Sequence, residues 1–128
     1  MLTVCCAIIE KDGLILLAQR GNGMDQHGKW EFPGGKLEPG ETPQQCIVRE
    51  IMEELGVETI ITGTIPPVVH IYPDKTIRLI PFLCRLSKNL PIPKVHKSIA
   101  WVLPEDIISY NLSDADVKVL LHYQNRTL

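Results

Sequence analysis

One stretch constrains this chain more than any other. Gly34-Gly35-Lys36-Leu37-Glu38-Pro39-Gly40-Glu41 leads on to Arg49-Glu50-Ile51-Met52-Glu53-Glu54-Leu55-Gly56-Val57. It opens as a glycine- and proline-rich loop and continues as a helix. Pro43 suits the first helical turn, where its missing N–H costs nothing, and Thr42 can cap the helix. Gly56 suits the position just past the end, where positive φ is usual. These signals predict a helix over about 42–55. At ~100° per residue, Glu50, Glu53 and Glu54 then share an arc of ~100°. Ile47, Val48, Ile51, Met52 and Leu55 occupy the neighbouring arc, predicted to face a core.

Three carboxylates this close repel one another unless a positive charge sits among them. Mg²⁺ meets that need, because it takes oxygen ligands and keeps several waters and substrate phosphates in its shell. The alternative is a solvated acidic face, the common fate of charge on a helix. The wider spacing weighs against the alternative. The pattern G-x5-E-x7-R-E-U-x-E-E-x-G-U, with U aliphatic, is filled without mismatch by Gly35, Glu41, Arg49, Glu50, Ile51, Glu53, Glu54, Gly56 and Val57. Seven fixed positions, each at ~5–7% usage, would coincide at a given site about once in 10⁹. This is the pattern of the Nudix box, and the chain resembles the Nudix hydrolase family.

The rest of the composition is compatible with a small enzyme. At 128 residues the chain is read as a single domain, 1–128, with a real core. A net charge of −2 gives no basic surplus for binding a nucleic acid polymer, while a nucleotide needs only a few local Lys or Arg. Cys5, Cys6, Cys46 and Cys84 form no C-x-x-C pair, and His27, His70, His96 and His122 form no H-x3-5-H pair. Zinc is therefore disfavoured, and buried free thiols in a reducing compartment are expected. No apolar run is long enough to span a membrane and no signal-like n-region precedes the first one, so a cytoplasmic location without membrane contact is expected.

Residues 2–10 and 14–19 read as strands joined by a hairpin turn at Lys11-Asp12-Gly13. A loop over 21–29 leads to a short extended piece, Trp30-Glu31-Phe32-Pro33. Past the helix, 58–71 is β-rich and broken by Pro66-Pro67, Tyr72-Pro73-Asp74-Lys75 is a turn, and 76–86 is a strand. Pro81 in that strand predicts an edge or a bulge. A loop over 87–94, a last strand over 98–103 and one or two helical turns over 104–109 follow. A second helix is expected over about 114–124, with Ser113-x-x-Asp116 as its capping box, Leu112 and Val117 as a staple, and Val117, Leu120, Leu121 and Gln124 along one side. The pattern alone implies an α+β class. The resemblance implies the Nudix fold, a mixed β-sheet sandwiched between helices in an α/β/α arrangement.

The likeness extends past the box. Ala18-Gln19-Arg20, Lys29 to Lys36, Trp101-Val102-x-Pro104-Glu105 and Tyr110-x-Leu112-x-x-Ala115-Asp116 are similar to the MutT-type branch. That resemblance implies an Mg²⁺-dependent nucleoside triphosphate pyrophosphohydrolase, with Mn²⁺ as a possible substitute. It would act on substrates such as 8-oxo-dGTP or CTP and modified pyrimidine deoxynucleotides, in a mutation-avoidance role. It implies Gly34 (through its carbonyl), Glu50, Glu53 and Glu54 as metal ligands, and Glu50 as the group that activates water. Arg49 cannot bind a metal and would pair with Glu41 or orient Glu50. Arg20 would contact phosphate, or be a surface charge. Phe32 would pack against the base, or only in the core. Asp116 would read the base edge, cap its helix, or both. Relatives often carry a glutamate in the loop before the conserved Trp; here that position is Val95, followed by His96. Two other readings remain: another nucleoside diphosphate-X substrate, such as ADP-ribose or a dinucleoside polyphosphate, and a non-catalytic recognition domain, which would be expected to have lost glutamates that this chain keeps.

Overall fold

The structure is a computed structural model that describes residues 1–88 and 90–126. In chain order its strands are β1 (Leu2–Lys11), β2 (Leu14–Gln19), β3 (Trp30–Glu31), β4 (Gly34–Lys36), β5 (Thr59–Thr64), β6 (Val68–Tyr72), β7 (Lys75–Leu86) and β8 (Ser98–Val102). Helix α1 spans Pro43–Leu55, a 3₁₀ segment spans Pro104–Ser109 and helix α2 spans Asp114–Asn125. The strands join in one mixed sheet.

Strand β1 is the axis of this sheet. It runs parallel to β7 from Leu2↔Ile77 to Ile9↔Cys84, and antiparallel to β4 and β2. Strand β2 carries β3 and β8. The Asp12-Gly13 turn closes the β1–β2 hairpin with both residues at positive φ, 53° and 79°, the two-residue type I′ geometry that matches strand twist. Residues Cys5 to Ile9 are buried throughout, because both faces of β1 are covered. Cys5, Ala7 and Ile9 pack with Ile47, Ile51 and Leu55 of α1. Cys6 and Ile8 pack with Val119, Leu120 and Tyr123 of α2. The result is a mixed sheet between helices, an α/β/α sandwich.

Helix α1 is bounded as its sequence signals require. Thr42 Oγ1 accepts the Gln45 N–H at 3.1 Å and Gln45 Oε1 accepts the Thr42 N–H at 2.9 Å, a reciprocal capping box. Gly56 sits at φ 68° and its N–H reaches the Met52 carbonyl at 3.0 Å.

Several expectations are corrected. Val48 and Met52 do not face the core: they are 36% and 45% exposed, while Glu54 is buried at 8%. The buried arc is centred on Ile47 and Ile51, which leaves Val48 and Met52 on its outer edge and carries Glu54 inward. In α2 the inward side is Ala115, Asp116, Val119, Leu120 and Tyr123, and Leu121 is exposed. Ser113 stands at the N-cap without a side-chain capping bond. Pro81 lies in a central strand. One flank of β7 changes partner there from β6 to β5, and the Ile65 N–H donates to the Pro81 carbonyl. The Gly34–Lys36 stretch, read as loop, is a strand.

The corrected helix face makes a direct stability prediction. Ile51→Ala, which empties a fully buried site, should cost about 2–5 kcal/mol in urea unfolding. Met52→Ala should stay within about 0.5 kcal/mol. Similar losses for the two would contradict the face assigned here.

Candidate active site

The site begins where two glycines let α1 lie against the sheet. A Cβ on Gly34 would strike the Cys5 carbonyl oxygen and Cys6 Cα of β1, and one on Gly35 would overlap the Glu50 carboxylate. Beside this contact, Arg49 collects the acidic residues of the box. Its Nε and Nη2 donate to the two oxygens of Glu41 at 2.6 and 3.0 Å, a bidentate fork. Its Nη1 donates to Glu50 Oε1 at 2.9 Å and to Glu53 Oε2 at 3.2 Å, and Nη2 reaches the Lys36 carbonyl at 3.1 Å. Arg49 therefore both pairs with Glu41 and orients Glu50. The fork holds the Glu41 carboxyl down to about 2. Glu53 points outward, with 58% of its side chain exposed.

Glu54 lies on the opposite, buried side. Burial raises its carboxyl to about 9, and the neighbouring Glu50 adds to the shift. Its Oε1 has no hydrogen-bond partner. Facing it at 3.9 Å is Nδ1 of His96, also without a partner, on a ring with no solvent exposure. The other nitrogen, Nε2, lies 2.8 Å from Glu31 Oε2, and Glu31 Oε1 accepts from Arg20 Nη1 at 2.7 Å. Arg20 Nε also donates to the Asp25 carbonyl. At the position where the family often has a glutamate, Val95 points outward and is 52% exposed, and His96 points inward.

A cavity of about 290 Å³ joins these groups to a second, more apolar end. Of the eight site residues expected from the sequence it brings six together: Arg20, Phe32, Gly34, Glu50, Glu54 and Asp116. Arg49 and Glu53 do not line it. Phe32 is buried in the core cluster and also lines the cavity. Asp116 does not cap α2. Its Oδ1 accepts the Phe32 N–H at 3.0 Å, and burial, reinforced by the charge of Glu31, pushes its carboxyl well up. The α2 N-terminus is fixed instead from outside: Trp30 exchanges backbone bonds with Asn111 and Ser113, and Tyr72 Oη accepts the Ala115 N–H at 3.1 Å. Glu31, His96, Tyr72 and Lys75, which was read only as part of a turn, were not expected to belong to the site. Glu31 sits beside the quoted Trp30 and Phe32, and His96 follows the departing Val95. Those were the signals available.

The residues present fit a hard divalent cation. Glu50 lies close enough to raise the Glu54 carboxyl, and one oxygen of Glu54 is buried without a partner, so a proton or a cation would relieve both. Among the described residues no group of three or more His, Cys, Asp or Glu side chains is placed to hold a metal ion. Mg²⁺ asks for less, one or two carboxylates with water and substrate phosphate completing its shell.

The chain is similar to known proteins along most of its length. The NUDIX domain family matches residues 1–123. The CTP pyrophosphohydrolase of Escherichia coli K12 is 38% identical over 120 residues, covering 94% of this chain and 89% of that protein. The 8-oxo-dGTP diphosphatase of Proteus vulgaris is 42% identical over 82 residues, 64% of this chain and 73% of that one. The solution structure of the E. coli ORF135 protein superimposes with a TM-score of 0.84 at 36% identity, over 97% of this chain and 89% of that one. The crystal structure of a MutT NUDIX hydrolase from Burkholderia pseudomallei gives 0.85 at 27% identity, over 94% and 96%.

The raised carboxyl of Glu54 predicts a pH signature. Its ordinary value is 4.5 and its folded value about 9. The folded state therefore holds the proton more tightly than the unfolded state. Its contribution to metal-free stability is full below 4.5 and is lost as pH rises toward about 9. Thermal melts in EDTA should show wild type losing stability relative to Glu54→Gln across this window, with added Mg²⁺ restoring wild type alone. A constant difference between the two proteins would contradict the buried proton.

Proposed function

Given that this chain belongs to the Nudix hydrolase family, we propose that it hydrolyses nucleoside triphosphates to nucleoside monophosphate and pyrophosphate. Modified or oxidised substrates of the 8-oxo-dGTP or CTP/dCTP type fit best, in a nucleotide-pool sanitising role. One observation supports this reading: Gly34, Glu50 and Glu54 line the same cavity as Phe32 and Asp116. Carboxylates suit a cation and its phosphates, and an aromatic ring with one polar group suits a base. The names of the relatives from E. coli and P. vulgaris point the same way.

In the proposed mechanism the Gly34 carbonyl, Glu50, Glu53 and Glu54 would hold Mg²⁺, with Mn²⁺ as a substitute. When bound, the cation supplies charge neutralisation at the phosphates and makes a water easier to deprotonate. Glu50 accepts the proton of the attacking water, and Arg49 holds Glu50 in place from behind. Glu53, paired with Arg49 here, would have to be released from it to join the ligands. Arg20, already aimed into the cavity by Glu31, meets a phosphate oxygen. Phe32 packs against the base. The Phe32 N–H occupies Oδ1 of Asp116, which leaves Oδ2 for the base edge. With its carboxyl raised by burial, Asp116 can carry a proton on Oδ2 and donate to an acceptor on the base edge; once ionised it only accepts and favours an edge that offers donors, such as the cytosine amino group or the N1–H and amino group of guanine.

Purified protein with Mg²⁺ and a panel of triphosphates should release pyrophosphate, not orthophosphate, from at least one. Turnover of ADP-ribose with none of any triphosphate would overturn the assignment. Glu50→Gln should lower kcat about 10²–10⁴-fold. Asp116→Asn keeps the acceptor for Phe32 and replaces a proton-dependent group with a fixed donor, so it should reorder base preference across the panel. Unchanged kcat/KM ratios would remove Asp116 from base recognition.

A further inference from the structure

Arg20 and Glu54, which both line the cavity, are linked through two further side chains, Glu31 and His96. We propose that His96 is a positioning residue that fixes Arg20 through Glu31 on one side and Glu54 on the other, taking the structural place of the carboxylate absent at Val95. The inference rests on the hydrolase reading given above and extends it to a residue outside the box.

The two ring nitrogens have distinct tasks. Glu31 Oε2 lies 2.8 Å from Nε2, and a carboxylate only accepts, so Nε2 carries the hydrogen. The second oxygen of Glu31 takes Arg20 Nη1 at 2.7 Å, so the imidazole sets the direction in which the guanidinium points. In the neutral imidazole Nδ1 is then the acceptor, 3.9 Å from Glu54 Oε1. Both atoms are buried and neither has another partner. That separation is too long for a direct hydrogen bond and suits one hydrogen-bonding bridge, such as a water that donates to both. Such a contact fixes the rotamer of Glu54 without consuming the oxygen that faces the cavity, the usual task of an outer-shell partner of a metal ligand.

The backbone shows that the ring is held for this purpose. Lys94 N–H donates to the Glu54 carbonyl at 2.9 Å, and Lys97 N–H donates to the Gln19 carbonyl at 2.9 Å. Ser98 Oγ adds a bond to the Gln19 side chain at 3.2 Å. The segment carrying His96 is thus tied to the end of α1 on one side and to β2, next to Arg20, on the other. Val95 between these anchors is exposed, so only the imidazole enters the site.

Two substitutions separate the two nitrogens. In His96→Gln the amide reaches the Nε2 position, keeps the bond to Glu31 and loses the Nδ1 group. In His96→Asn the amide oxygen falls near Nδ1 and the bond to Glu31 is lost. Mn²⁺ affinity of the nucleotide-free protein, measured by electron paramagnetic resonance, should weaken about tenfold in His96→Gln and stay within about threefold of wild type in His96→Asn. KM for the best triphosphate should move the other way, rising about tenfold in His96→Asn and little in His96→Gln. A role in the fold alone would instead lower Tm in both and leave this crossed pattern absent. Equal Mn²⁺ affinities in all three proteins, or parallel losses in both variants, would overturn the proposal, and each variant's Mn²⁺ result counts even if the other fails to fold. If wild type turned over no triphosphate while the Mn²⁺ titrations still split as stated, the hydrolase reading would fail and the link from His96 to Glu54 would stand.

Discussion

The site depends on one steric fact: there is no room for a side chain at residues 34 and 35. The Glu50 carboxylate occupies the space a Cβ on Gly35 would need, and the β1 backbone occupies that of Gly34. Gly34 thus lets β4 lie close against β1, and Gly35 leaves room for the Glu50 carboxylate beside the sheet. A side chain at 34 would force β4 off β1, and one at 35 would turn the Glu50 carboxylate out of its place.

That closeness creates the electrostatic problem the site is built around. Three glutamates on one helix repel, and the chain answers with two different solutions. On the outer side Arg49 neutralises Glu41, Glu50 and Glu53 with a guanidinium fork. On the inner side Glu54 has no cation and is raised to about 9. The outer side is satisfied by the chain itself, whereas the inner one asks for a proton or a metal. This asymmetry makes Glu54, beside Glu50, the proposed ligand with the most to gain from a cation. It also gives the buried ring of His96 a function at the rear of the same carboxylate.

Much of this was legible in the residues, because the signals were local. The Thr42 cap, Pro43 and Gly56 bound α1 within one residue, and Asp12-Gly13 predicted a turn whose geometry the strands share. What escaped was set by distant segments. Glu54 looks like helix surface until a segment some forty positions later lies over it, with Lys94 bonded to its carbonyl and His96 behind its side chain. Val48 and Met52 carry the right chemistry for a core but fall just outside the arc the sheet covers. Pro81 reads as an edge residue because its strand is seen alone; in the sheet it sits where neighbouring strands change over, and the missing N–H is tolerated. His96 was scanned for pairing with other histidines, and its partners proved to be two glutamates.

The proposed cation site at Glu50 and Glu54 is open to a single crystallographic experiment, a structure with Mn²⁺ and a non-hydrolysable nucleoside triphosphate. The expected result is an anomalous peak bound by both carboxylates, with phosphate oxygens at Arg20 and a base between Phe32 and Asp116. A cation bound elsewhere, with Glu50 and Glu54 free of it, would overturn the site.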